Sequence, residues 1–92
     1  MKTERNEDEM AEVKMYGADW CSDCRRSEKL LDGLGVEFEK LDVEKSAELA
    51  AEAEQIAGRK NIPVIQFTDG VVLVEPSDAT LWAELKLRGL AE

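Results

Sequence analysis

Ninety-two residues carry 12 Lys and Arg against 21 Asp and Glu, with no His, for a net charge of −9; hydrophobic residues make up 43% and aromatics 5%. The length suits one small domain with a single core. No apolar run approaches the roughly 20 residues that span a bilayer, no secretory-type apolar segment opens the chain, and the acidity opposes nucleic-acid binding, which needs a Lys/Arg footprint.

Residues 1–11 have no apolar period and mix Lys2 and Arg5 with Glu4, Glu7, Asp8 and Glu9. Such a segment buries too little to offset its ordering entropy, so it is expected to be a disordered acidic tail, with a docking arm as the functional alternative. The folded domain is expected over 12–92. Val13-Lys14-Met15-Tyr16 is a short strand candidate broken by Gly17. Cys24, Ser27, Leu31 and Leu34 then recur at helical spacing, with Gly33 and Gly35 as stops. Val36 to Leu41 alternates imperfectly and reads as a second strand. A helix over 46–57 follows, capped by Asp42 or Ser46, with Leu49, Ala53 and Ile56 inward and Gly58 at its end. Pro63 to Phe67 is the strongest strand signal; Thr68-Asp69-Gly70 is a tight turn, and Val71 to Val74 returns antiparallel. Ser77 or Asp78 caps a last helix carrying Leu81, Trp82 and Leu85, with Trp82 expected in the core and Gly89 at C′.

The order is β-α-β-α-β-β-α. Helix–strand alternation argues a parallel βαβ half, and the Asp69-Gly70 turn argues a hairpin after it. A four-stranded mixed α/β sheet with helices on both faces satisfies both.

Both cysteines sit in Cys21-Ser22-Asp23-Cys24. A structural disulfide across so small a ring would remove little chain entropy. A closed zinc site needs four ligands, and no other Cys or any His exists to complete one, so no metal is expected. Thiol–disulfide exchange fits best. Cys21 follows a strand, a Gly turn and Trp20, and precedes the first helix, so its sulfur falls where unpaired N–H groups and the helix dipole favour negative charge. Cys24, one turn on, can resolve a mixed disulfide. Asp19 and Asp23 oppose a nearby thiolate, and Arg25 and Arg26 are placed to offset them.

Trp-Cys-Ser-Asp-Cys after a short strand, Asn61-Ile62-Pro63 about forty residues on, and Pro76-Ser77-Asp78 before a last helix together resemble the glutaredoxins, and within them the mycoredoxin type with its Trp-Cys-x-x-Cys site. The resemblance covers about 12–90. It implies the thioredoxin fold and reduction of protein disulfides, or of mixed disulfides with a low-molecular-weight thiol. Cys21 then looks like the nucleophile and Cys24 like the resolving thiol. Pro63 matches the family's cis-proline, which presents the Ile62 backbone to an incoming chain, and Ser77 and Asp78 match the pair that grips the thiol cosubstrate. Lys60, with Arg59 beside it, stands where a basic residue meets the cosubstrate carboxylate; a charge complementing a helix C-terminus is the plainer alternative. Glutaredoxins usually carry Gly-Gly before the Ser-Asp pair, whereas this chain has Glu75-Pro76, a feature nearer the mycoredoxin type. Trp20 shields the disulfide or packs at a rim.

The resemblance implies a cytoplasmic, monomeric enzyme acting on protein disulfides with mycothiol or glutathione as cosubstrate, without metal, nucleic-acid or membrane partners. Two alternatives remain: an electron donor of the ribonucleotide-reductase redoxin type, reset by a flavin-dependent thioredoxin reductase, and an iron–sulfur cluster carrier.

Overall fold

The computed structural model describes residues 12–92, so the acidic segment at 1–11 lies outside the described residues. The elements are β1 (Val13–Gly17), α1 (Ser22–Gly33), β2 (Glu39–Asp42), α2 (Ala47–Ala57), β3 (Val64–Phe67), β4 (Val72–Val74) and α3 (Asp78–Leu87). They form one sheet in the order β2-β1-β3-β4. β1 runs parallel to β2 and antiparallel to β3, and β4 returns antiparallel to β3.

The two central strands alternate their side chains between two cores, as a pleated strand must. Val13 and Met15 of β1 join Ile65 and Phe67 of β3 on one face, where Leu31 of α1 and Leu81 and Leu85 of α3 cover them. Tyr16 and Val64 point to the other face and meet Ala53 of α2, with Leu49 and Ile56 beside it. The pairs Met15–Ile65 and Tyr16–Val64 are in register, so a slip of one residue would exchange the two cores. The Tyr16 hydroxyl crosses to α2 and donates to Glu52 Oε2 at 2.8 Å. Burial, then the Glu52 contact, raises the Tyr16 pKa well above its ordinary value.

Local chemistry sets the helix limits. Ser46 Oγ accepts from the Leu49 N–H at 3.2 Å, so Ser46 rather than Asp42 caps α2; Asp42 instead accepts from the Glu44 N–H at 2.8 Å in the preceding turn. α1 runs to Gly33, and Gly35, one residue past the cap Leu34, closes it. Gly35 has φ +72°, its N–H donates to Asp32 O at 3.1 Å, and Val36 N–H donates to Leu31 O at 3.0 Å, a Schellman closure.

Two sequence expectations are corrected. The second strand begins at Glu39, not Val36, because Val36 closes the helix and turns with Phe38 into the core; pairing starts opposite Lys14. Trp82 is not core: it is 41% exposed. α3 docks through Leu81 and Leu85, and the next residue lies about 100° around the helix from Leu81. The Trp82 indole N–H donates to Glu92 O at 3.1 Å, and the Lys86 ammonium lies 4.7 Å from its ring centroid. No helix among the described residues is long and apolar enough to cross a membrane.

Leu81 is fully buried, so Leu81→Ala is expected to cost about 2–5 kcal/mol in chemical denaturation. Trp82→Ala is expected to cost less than half as much, reversing the order that side-chain size alone suggests.

Candidate redox site

β1 ends against α1, and Gly17 allows that approach. A Cβ on Gly17 would lie 2.9 Å from Cys24 Sγ and 3.1 Å from Cys24 Cβ. The chain then turns through Ala18–Cys21, with the Cys21 N–H donating to Ala18 O at 3.2 Å. This turn throws Trp20 outward, where it is 64% exposed.

Cys21 is the N-cap of α1, with extended φ −85° and ψ 114°. Its carbonyl accepts the first helical bond, from Arg25 N–H at 3.0 Å, and its Sγ accepts from Cys24 N–H at 3.1 Å. The sulfur thus occupies the acceptor position that Ser or Asp takes in ordinary caps, facing the free N–H groups and the positive end of the helix dipole. The residue keeps only 7% of its surface, on a cleft of about 420 Å³ shared with Trp20, Lys60, Ile62 and Glu75.

Cys24 differs in kind. It is 2% exposed, beneath Gly17 and against Ala18. Burial, and next its hydrogen bond with Cys21, push its thiol up to about 12. Both cysteines are free thiols. Both residues are buried, but Cys21 lines the cleft with a donor aimed at its sulfur, and Cys24 is held protonated behind it.

The Ile62–Pro63 peptide bond is cis. The Cys21 thiol points at Ile62 O at 3.9 Å, and Pro63 O accepts from Glu75 N–H at 2.9 Å. The segments 60–63 and 75–76 are thereby bound to each other beside the reactive sulfur.

Of the residues singled out from sequence, Cys21, Lys60 and Ile62 line the cleft together, with Pro63 buried next to them. Ser77 and Asp78 do not line it. Ser77 Oγ accepts from Thr80 N–H at 3.1 Å and so caps α3. Asp78 Oδ1 lies 3.5 Å from Arg26 Nε. Arg26 also meets Asp23 Oδ1 at 3.1 Å and donates to Pro76 O at 3.3 Å, tying the active-site helix to the segment before α3. Arg26, not Arg25, offsets Asp23; Arg25 instead donates to Asp19 O at 3.0 Å.

Sequence reasoning missed Asn61 as a site residue. Its Nδ2 donates to Glu75 Oε2 at 3.1 Å, a pairing across 14 residues that no local pattern announces. It also missed a second cavity of about 450 Å³, which shares Trp20, Lys60, Asn61 and Ile62 with the first and continues along Ala47, Ala50 and Ala51 of α2. Among the described residues no group of three or more His, Cys, Asp or Glu is placed to hold a metal ion.

Residues 13–73 match the family model described as Glutaredoxin. Mycoredoxin 1 of Corynebacterium glutamicum is 30% identical over 78 residues, covering 84% of this chain and 96% of that protein. The crystal structure of a glutaredoxin from Archaeoglobus fulgidus is similar at a TM-score of 0.69 and 28% identity, over 88% of this chain and 86% of that one. The glutaredoxin-like NrdH-redoxin from Escherichia coli is similar at a TM-score of 0.58 and 26% identity, over 67% of this chain and 79% of the other. The architecture is thioredoxin-like.

The two sulfurs should react unequally. In Cys21→Ser, the remaining Cys24 should alkylate with iodoacetamide at neutral pH roughly a hundredfold more slowly than an ordinary thiol, because burial keeps it protonated. Comparable rates would contradict the burial. The Cys24 pKa is raised above its unfolded value of 9.0 to about 12. Its contribution is therefore complete below that unfolded value and fades as pH rises toward the folded one. Denaturation midpoints of the reduced protein should fall over that alkaline window, and fall less in Cys24→Ser. Gly17→Ala should cost about 1–3 kcal/mol by overpacking against Cys24.

Proposed function

The chain belongs to the glutaredoxin family of thiol–disulfide oxidoreductases, and from that premise we propose that it reduces protein disulfides, and mixed disulfides between proteins and a low-molecular-weight thiol, through Cys21 and Cys24. The observation that carries this reading is the Cys24 N–H donating to Cys21 Sγ at 3.1 Å at the head of α1, with that sulfur on an open cleft.

In this reading the Cys21 thiolate attacks the small-thiol sulfur of a mixed disulfide, forming a Cys21–thiol disulfide and releasing the protein thiol. A second small thiol then regenerates Cys21 and leaves as its own disulfide. Alternatively Cys24, having lost its proton, attacks the Cys21 sulfur, closes the intramolecular disulfide and releases the bound thiol. The helix-end N–H groups stabilise negative charge on Cys21 each time it attacks or leaves. The Ile62 backbone beside the cis Pro63 offers hydrogen-bonding groups to the bound thiol, and Lys60 offers a cation for a carboxylate. Mycothiol and glutathione are the candidate thiols, and a reducing cytoplasm is the compartment that suits such a pair.

A second reading draws on Ser77 and Asp78. Ser77 is committed to capping and Asp78 to Arg26, so the pair expected to grip a thiol cosubstrate already has partners. That favours a protein-specific electron donor reset by a flavin-dependent thioredoxin reductase, a role that needs no cosubstrate pocket.

Cys21→Ser should reduce every activity to below about 1%, since the thiol left behind, Cys24, is buried and protonated. Cys24→Ser should keep reduction of mixed disulfides and lose reduction of intramolecular protein disulfides. Turnover surviving without Cys21 would sink the proposal. Turnover of the unmodified protein with thioredoxin reductase, but with neither mycothiol nor glutathione, would select the second reading.

A further inference from the structure

Glu75 has φ +51°, in the left-handed region that side chains other than glycine enter at an energetic cost. Tertiary contacts hold it there. Its N–H donates to Pro63 O at 2.9 Å, and its Oε2 accepts from Asn61 Nδ2 at 3.1 Å. Both Glu75 and Asn61 line the cleft that carries Cys21. A non-glycine residue held at positive φ by its surroundings, with its side chain on the cleft that carries the reacting sulfur, is where function is expected.

Asp23 also lines the cleft, but Arg26 lies 3.1 Å from its Oδ1. Arg26 is shared with Asp78, and Arg25 is spent on the Asp19 carbonyl. Glu75 has only the neutral Asn61 amide and makes no ion pair among the described residues, and Lys60, the cation of the cleft, makes none either. Two uncompensated charges of opposite sign, on segments from different parts of the chain, therefore flank the path to Cys21.

We propose that Glu75 is a specificity-determining residue that selects the thiol partner of Cys21 by charge, disfavouring thiols that present an anion beside it and favouring neutral or cationic ones, with Lys60 as the opposing pole. The inference rests on reading the cleft as a site of thiol–disulfide exchange and adds the charge class of the thiol. Because the cleft is open, water and salt screen the effect, so it should be several-fold and sensitive to ionic strength.

The test is a single-turnover measurement with the full chain in its dithiol form. One reporter peptide is supplied as its mixed disulfide with cysteamine, 2-mercaptoethanol or 3-mercaptopropionate. Each turnover oxidises Cys21 and Cys24 to a disulfide and releases the peptide thiol and the small thiol. Rates are divided by those of uncatalysed exchange with dithiothreitol, which removes intrinsic reactivity. The cysteamine-to-mercaptopropionate ratio should exceed one at low salt. It should fall by about threefold or more in Glu75→Gln, which keeps an acceptor for Asn61, rise in Lys60→Gln, and shrink for the unmodified protein in about 0.5 M salt. Glu75→Gly, which suits the positive φ, should move the ratio the same way as Glu75→Gln, so the test survives if one variant folds poorly. A general loss of structure would slow all three disulfides together and leave the ratio where it was. An unmoved ratio in both Glu75 variants, or a Lys60→Gln shift in the same direction as theirs, overturns the charge assignment while leaving the exchange chemistry standing. Failure of the unmodified protein to reduce any of the three disulfides overturns the exchange reading and this inference with it.

Discussion

The hydrogen bond from the Cys24 N–H to Cys21 Sγ, at 3.1 Å, is the contact on which the rest of the site depends. It is a cap bond in which sulfur stands where a hydroxyl or carboxylate oxygen normally stands. A free backbone N–H at a helix start needs an acceptor, and supplying it with a thiol couples the integrity of α1 to the reactivity of Cys21. The same bond aims the helix dipole at the sulfur and fixes Cys24 one turn below it.

The sheet makes that bond possible by bringing β1 directly under the head of α1. Gly17 leaves no room between strand and helix for even one more carbon, so Cys24 is pressed against the strand and cut off from water. The consequence is chemical asymmetry between two identical side chains three residues apart. Cys21 sits on the rim of a cleft, and Cys24 is held as a thiol by burial. Asymmetry of that kind sets an order of events, since the cysteine that lines the cleft meets the disulfide first and the one beneath it acts only from behind.

Three segments converge around Cys21, two of them far from it in sequence. The turn 18–21 supplies Trp20, the stretch before β3 supplies Lys60 to Pro63, and the stretch after β4 supplies Glu75. The β3–β4 hairpin brings the last two together, and the Glu75 N–H to Pro63 O bond closes them. Arg26 reaches from α1 to the Pro76 carbonyl and Asp78, so the segment before α3 is held from the helix that carries the cysteines. As exposed ion pairs these contacts add little stability individually; their effect is to decide which charges near the cleft are already matched.

The order of elements, the hairpin at Asp69-Gly70, the caps as one of Asp42 or Ser46 and one of Ser77 or Asp78, and the cysteines at a helix start were legible from sequence alone, because each rests on local chemistry: periodic apolar residues, turn residues and short-range acceptors. The start of β2 and the exposure of Trp82 were not, because both depend on which face of an element meets a neighbour. Val36 is apolar whether it extends a strand or closes a helix, and Trp82 is apolar on either side of α3. Which charges of the cleft are already matched was decided by the tertiary structure. Asp78 looks free in a linear reading and is paired by Arg26 across 52 positions, while Glu75 looks like one acid among 21 and is the one left beside Cys21 with only a neutral amide for company. Proximity through space, not spacing along the chain, decides which charges cancel.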